Sequence, residues 1–160
     1  GQVLSLLAAL IPIYGVLVVI FRSLRFAALA LLPNVLPILA FFGILGWSGV
    51  TLNLTTSLVA SVVLGIAVDD SIHFFARLRE AGRKSDNKSN AVREAMSVVI
   101  RPVTFTTVGL VLGFTTLLSG ELHSQAEFGL LAAATIAIAW LLDITFTPAL
   151  AYRYGVSEKR

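Results

Sequence analysis

Asp69 and Asp70 are adjacent carboxylates inside GIAVDDSIHF, and His73 follows Asp69 by four residues. On a helix, residues four apart share a face, while neighbours diverge by about 100°. Asp69 and His73 would therefore form a carboxylate–imidazole pair, with Asp70 turned to a different side. The apolar stretch that holds them runs from Leu54 to Ala76, and the first arginine after it is Arg77. At about 1.5 Å per residue, Asp69 lies about 12 Å inside that end. A carboxylate within a membrane costs roughly 2.5–3.5 kcal/mol on insertion scales, and such groups usually face a bundle interior or a wet cavity. The chemistry implied is reversible protonation, with Asp69 and Asp70 as candidate proton carriers. The plainer alternative is a carboxyl group that only bridges two helices by hydrogen bonds.

Other polar residues fall at similar depth. Asp143, in WLLDITFTP, stands ten residues before Arg153, about 15 Å from that boundary. It is expected to line the same polar interior or to bond Thr147 one turn on. Thr104, Thr106 and Thr107 open the apolar run after Arg101. Threonines in such helices often bond their own backbone. His73 extends a proton path or packs at an interface. A metal site is not expected: the chain has no cysteine, and its other histidine, His123, falls at the opposite membrane boundary.

These side chains need elements to hold them. Of the 160 residues, 57% are hydrophobic and 13% charged, with a mean hydropathy of +0.89, far too apolar for a soluble domain of this size. About 20 apolar residues span a bilayer as a helix. Five such runs are present, at about 3–21, 26–47, 54–76, 102–120 and 127–152. Every lysine and arginine lies in the first connection, in the third, or after the fifth run. By the positive-inside rule those segments are cytoplasmic and the N-terminus is outside. In the third connection, Val92, Met96, Val99 and Ile100 repeat at helical spacing, which predicts a short amphipathic surface helix at about 89–100, capped by Ser89 or Asn90. The fold class is thus all-α: a five-span membrane bundle plus that cytoplasmic helix, forming a single transmembrane domain. Pro33 and Pro37 should kink the second span, and Gly109 and Gly113 offer a close-packing stripe in the fourth. Because the chain starts at Gly1 within an apolar run, it is expected to be a piece of a longer protein.

GIAVDDSIHFFARLRE, AVREA, RPVTFTTVGLVLGF, EFGLLAAAT and LLDITFTPAL, in that order, resemble the RND (resistance–nodulation–division) superfamily, in particular its MMPL-like exporter branch, which is related to the sterol-sensing domain. The resemblance covers essentially the whole chain. It implies one five-span half, the C-terminal one, of a proton-driven exporter in an inner membrane. It places the proton-carrying aspartate at Asp69 and a second at Asp70, where MMPL members often carry tyrosine. It places Thr106 on the facing helix. The implied partners are membrane lipid, protons, the other transmembrane half and an extracytoplasmic domain, with homo-oligomers left open; the cargo is a lipid or hydrophobic small molecule. No cofactor, nucleic acid or enzymatic activity is implied. The competing reading is a lipid- or sterol-sensing membrane module that does not transport. An intramembrane aspartyl protease built on Asp69 and Asp143 lacks the GxGD form.

Overall fold

The computed structural model describes residues 2–84 and 87–154. It contains five long helices: α1 (Gln2–Phe21), α2 (Leu24–Ser48), α3 (Leu54–Lys84), α4 (Lys88–Thr116) and, after a 3-10 turn at Leu117–Ser119, α5 (His123–Tyr154). All five are long and apolar enough to cross a membrane, and no strand occurs among the described residues. The chain is a multi-pass membrane protein of all-α architecture.

Short polar signals set the helix starts. Ser23 Oγ accepts the Phe26 N–H at 3.3 Å at the head of α2. Before α3, Asn53 and Thr56 cap each other: the Asn53 N–H donates to Thr56 Oγ1 and the Thr56 N–H donates to Asn53 Oδ1, both at 2.9 Å. Each bond satisfies a backbone donor that the helix cannot use itself. Gly49 ends α2 with φ +70°, the left-handed conformation that glycine adopts without a Cβ penalty.

The connection between α3 and α4 departs from the sequence expectation. Residues 89–100 are helical, but they are the first three turns of α4, not a separate helix on the membrane surface. Ala91, Ala95, Val99, Val103 and Thr107 form one buried stripe that crosses Pro102 without changing face. That stripe packs against α3, which itself runs on past Ala76 to Lys84. Proline removes one ladder bond, and packing on a neighbouring helix compensates for it. At 29 to 32 residues, α3, α4 and α5 are about 44–48 Å long. A hydrocarbon core of about 30 Å cannot contain them, so they project beyond it. The cap of α4 is Asn87, whose Oδ1 accepts the Ser89 N–H at 3.0 Å, rather than Ser89 or Asn90. Arg93 and Glu94, off that stripe, are exposed. Ser85 and Asp86, between α3 and α4, and the tail charges Lys159 and Arg160 lie outside the described residues.

Two apolar clusters hold the bundle. One joins Leu17 and Phe21 of α1, Phe26 of α2, Phe74, Phe75 and Leu78 of α3, and Ala91, Ala95, Val99 and Val103 of α4. Its rings meet edge to face, with Phe26 and Phe75 centroids 5.5 Å apart, the arrangement aromatic quadrupoles favour. The other joins Ile38, Phe41 and Leu45 of α2 with Val59, Val63 and Leu64 of α3 and Leu131 and Ile136 of α5. Along α2, α3 and α5, the residues between the two clusters include Asn34, Asp70, Ser71 and Asp143. The polar residues thus form a belt at the seam between two apolar cores.

The small-residue stripe behaves differently from expectation. Side chains built at Gly109 or Gly113 would meet nothing within 4 Å, so neither glycine mediates close packing within this chain. The close approach is at Gly129 of α5, which lies against the Phe114 carbonyl of α4.

Candidate functional site

The belt is built around α3. Asp69 and His73 share a face as the spacing requires, with His73 Nε2 3.7 Å from Asp69 Oδ1. Both are open: their side chains are 68% exposed for His73 and 71% for Asp69. The sequence left a bundle interior or a wet cavity open for Asp69; within this chain it lies on the outer flank, one helical face away from the core, bordering an open groove. The turn of about 100° to the next residue carries Asp70 inward, where it is half-buried.

A groove of about 450 Å³ runs between α3 and α4. Asp69, Asp70, His73 and Arg77 line one side, and Val98, Pro102, Thr106 and Leu110 the other. The structure therefore brings together four of the five residues picked out from the sequence: Asp69, Asp70, His73 and Thr106. Thr106 spends its hydroxyl on its own helix, with the Pro102 carbonyl at 3.1 Å and the Val103 carbonyl at 2.9 Å. Its exposed side still borders the groove, but it donates nothing to the carboxylates.

Asp143 is not in the groove. It lines a separate small cavity, about 20 Å³, between α3, α4 and α5, together with Asp70, Phe74 and Thr147. Thr147 Oγ1 donates to Asp143 Oδ1 at 3.2 Å, the local pairing expected from the sequence. Asp70 alone among the carboxylates borders both spaces.

One buried contact escaped the sequence reading. Ser71, next to Asp70, donates to Asn34 Oδ1 at 3.1 Å, while Asn34 Nδ2 donates to the Ala30 carbonyl at 2.8 Å. Both side chains are about 99% buried. This link between α2 and α3 fixes the rotation of α3 at the level of the carboxylates. A lone asparagine inside PNVLP was its only signal. Asn34→Leu is expected to destabilise the bundle by about 1 kcal/mol, the scale of hydrogen bonds between membrane helices. Unfolding in mixed micelles would measure it; a variant as stable as the parent would show that Ser71 finds another acceptor.

A second interhelical bond steadies the α4 side, where Trp140 Nε1 donates to Thr104 Oγ1 at 3.1 Å. Polar ties also hold the end of α1. The Arg79 guanidinium of α3 donates to the Phe21 carbonyl, one of the acceptors left over at the end of α1. Tyr14 donates its hydroxyl to the Leu24 carbonyl at 3.1 Å. Toward its other end, α1 stands off from α3 across a second groove of about 410 Å³, bordered by Ser5, Leu6 and Ala9 and by Ser57, Ser61 and Gly65.

The MMPL family model matches residues 2–160, all but the first residue. The chain belongs to the MMPL family. It is thereby placed in the RND superfamily that its motifs resemble. It is 28% identical over 150 residues to a protein of Methanocaldococcus jannaschii named as a membrane protein, covering 94% of this chain and 39% of that one. It is 32% identical over 146 residues to a similarly named protein of Streptomyces coelicolor, covering 87% of this chain and 20% of the relative. It is also 30% identical over 100 residues to the hopanoid transporter HpnN of Rhodopseudomonas palustris, covering 62% of this chain and 12% of that protein. The chain thus spans about two-fifths or less of the length of these relatives.

Proposed function

We propose that this chain is one five-span half-bundle of a proton-driven exporter, in which Asp69 and Asp70 load and release the proton that powers transport. The observation that carries this reading is the α3–α4 groove, where two carboxylates and an imidazole border one open space at the middle of a membrane bundle. A carboxylate in such a position is costly for a protein that only needs to pack, and useful for one that moves protons. The exposure of Asp69 and His73 leaves a polar face for the second half-bundle, and the greater length of the relatives supports a partner half and an extracytoplasmic domain in the same protein. His73 pairs with Asp69 across that face, Thr106 borders the path, and Asp143 supports it from within. The membrane is the inner membrane, with the start of α1 outside and the end of α5 in the cytoplasm. The proposed cargo is a lipid or similarly hydrophobic molecule, in keeping with the transporter HpnN among the relatives.

The test is reconstitution of the full-length protein in liposomes carrying a fluorescent lipid analogue and an internal pH dye. An imposed pH gradient should drive analogue movement and proton flux together, and replacing Asp69 and Asp70 together by asparagine should abolish both. Analogue movement that ignores the gradient, or survives the double replacement, would sink the proton-driven reading. A second reading has its own observation. The α1–α3 groove is large enough for part of a lipid or sterol and mixes serines with apolar walls. A lipid-sensing module would bind lipid there with the carboxylates irrelevant, so saturable lipid binding unaffected by the double replacement, without transport, would favour it.

A further inference from the structure

Asp143 has chemistry that its bond to Thr147 does not use. Its Oδ1 accepts the Thr147 hydroxyl, but its Oδ2 is buried and has no hydrogen-bond partner among the described residues. A buried polar atom left unpaired is costly, and such atoms ordinarily meet a protein group or an ordered water. The 20 Å³ cavity it shares with Asp70 has room for one water, which needs at least about 10–15 Å³ and two or more polar partners. Two are present, the carboxyl groups of Asp70 and Asp143. Thr147, whose hydroxyl proton is already given to Asp143 Oδ1, is the one further polar side chain in the lining, and the remaining walls, Phe74, Met96, Val99 and Ile144 among them, are apolar.

We propose that Asp143 is a second proton-holding carboxylate of this bundle, linked to Asp70 by one water molecule seated in the cavity between α3, α4 and α5. The step balances simply. Asp70 gives its proton to the water as the water passes one of its own to Asp143 Oδ2, and the water is unchanged. The proton then rests inside the half-bundle, off the open groove, with Thr147 steadying the other oxygen. The charged groups facing this pair come from α3: Asp70 in the cavity wall, then Asp69, His73 and Arg77 along the groove. None of the charged residues of α2, α4 or α5 other than Asp143 lines the cavity. The inference rests on the reading that Asp69 and Asp70 carry protons, and goes beyond it by adding a station on α5.

The experiment is infrared difference spectroscopy on the full-length protein in lipid nanodiscs, following the protonated-carboxyl bands through a pH titration. Two coupled bands are expected, from Asp70 and Asp143. Asp143→Asn should remove one and move the midpoint of the other. Thr147→Val, which removes the hydroxyl donor but keeps the shape, should shift the Asp143 band without abolishing it, separating a proton-holding role from misfolding. A weakly bonded water O–H band that moves in oxygen-18 water should disappear with Asp143→Asn. If Asp70→Asn or Asp69→Asn alters the spectrum but Asp143→Asn leaves it unchanged, the station on α5 is overturned and the relay stands. If no carboxyl titrates in any variant, the relay reading itself falls. A band at Asp143 that responds to sodium rather than to pH would overturn the proposal in favour of a cation site.

Discussion

Asp70→Asn is expected to reduce proton-driven export by the full-length protein to the level of liposomes without protein, while Asp69→Asn leaves a measurable remainder. Asparagine keeps the shape of aspartate and fits the same half-buried position on α3, so the fold should survive. It cannot take up and release a proton near neutral pH, so any coupling that passes through this position stops. The two neighbours differ in reach. Asp70 borders the open groove and the inner cavity with Asp143, whereas Asp69 borders the groove alone, on a flank about seven-tenths exposed. The family resemblance places the proton carrier at Asp69; the geometry gives Asp70 the contacts on both sides. Proton flux and cargo movement in the same liposomes decide the matter. The reverse ranking, with Asp69→Asn inactive and Asp70→Asn active, would move the relay to the outer Asp69–His73 face.

Gly129→Ala is expected to destabilise the bundle by about 1–3 kcal/mol, the usual cost of forcing a methyl group into a packed interior. A Cβ there would stand 2.5 Å from the Phe114 carbonyl oxygen and 2.8 Å from Leu117 Cβ. The first of these is backbone and cannot swing away, so α4 and α5 would have to separate at their joined end. Gly113→Ala on α4 is the matched control, since its Cβ would meet nothing within 4 Å. Alanine is a better helix former than glycine by up to about 1 kcal/mol, so this change should be neutral or stabilising. Unfolding in mixed micelles compares the two. Equal losses would show that the tight α4–α5 approach is not what makes glycine necessary at 129.

The five membrane helices were legible because the signal is crude and strong: runs of apolar residues of the right length, with the positive charges sorted to alternate ends. The helix over residues 89–100 was legible as a helix but not as part of α4. Its periodicity names a buried face without saying whether that face rests on lipid or on α3, and the fourth apolar run starts after Arg101 although the same face continues past it. Asp69, Asp70, His73 and Thr106 border one groove, and their grouping could be read because three of them lie within five residues on one helix and the fourth belongs to a recognisable motif. The pairing of Asp143 with Thr147 one turn on was one of its two expected roles, but which space it entered depends on how α5 is rotated against α3. No spacing within one helix encodes that angle. Asn34 and Ser71 are 37 residues apart, and neither is unusual alone. The same limit applies to the glycines, since the GxxxG spacing at 109 and 113 marks a smooth face without saying what covers it.

The attachment of α1 has a mechanical corollary. Its Phe21 end is pinned by Arg79 and seated in the aromatic cluster, while its opposite end is parted from α3 by the groove of about 410 Å³. Leu6, near that opposite end, is nonetheless buried in the second apolar cluster, with Ala9 and Leu10 packed beside it. The helix is therefore backed by the bundle at both ends and stands open only where it faces α3, which makes the space between them a slot with a supported wall, entered from the side.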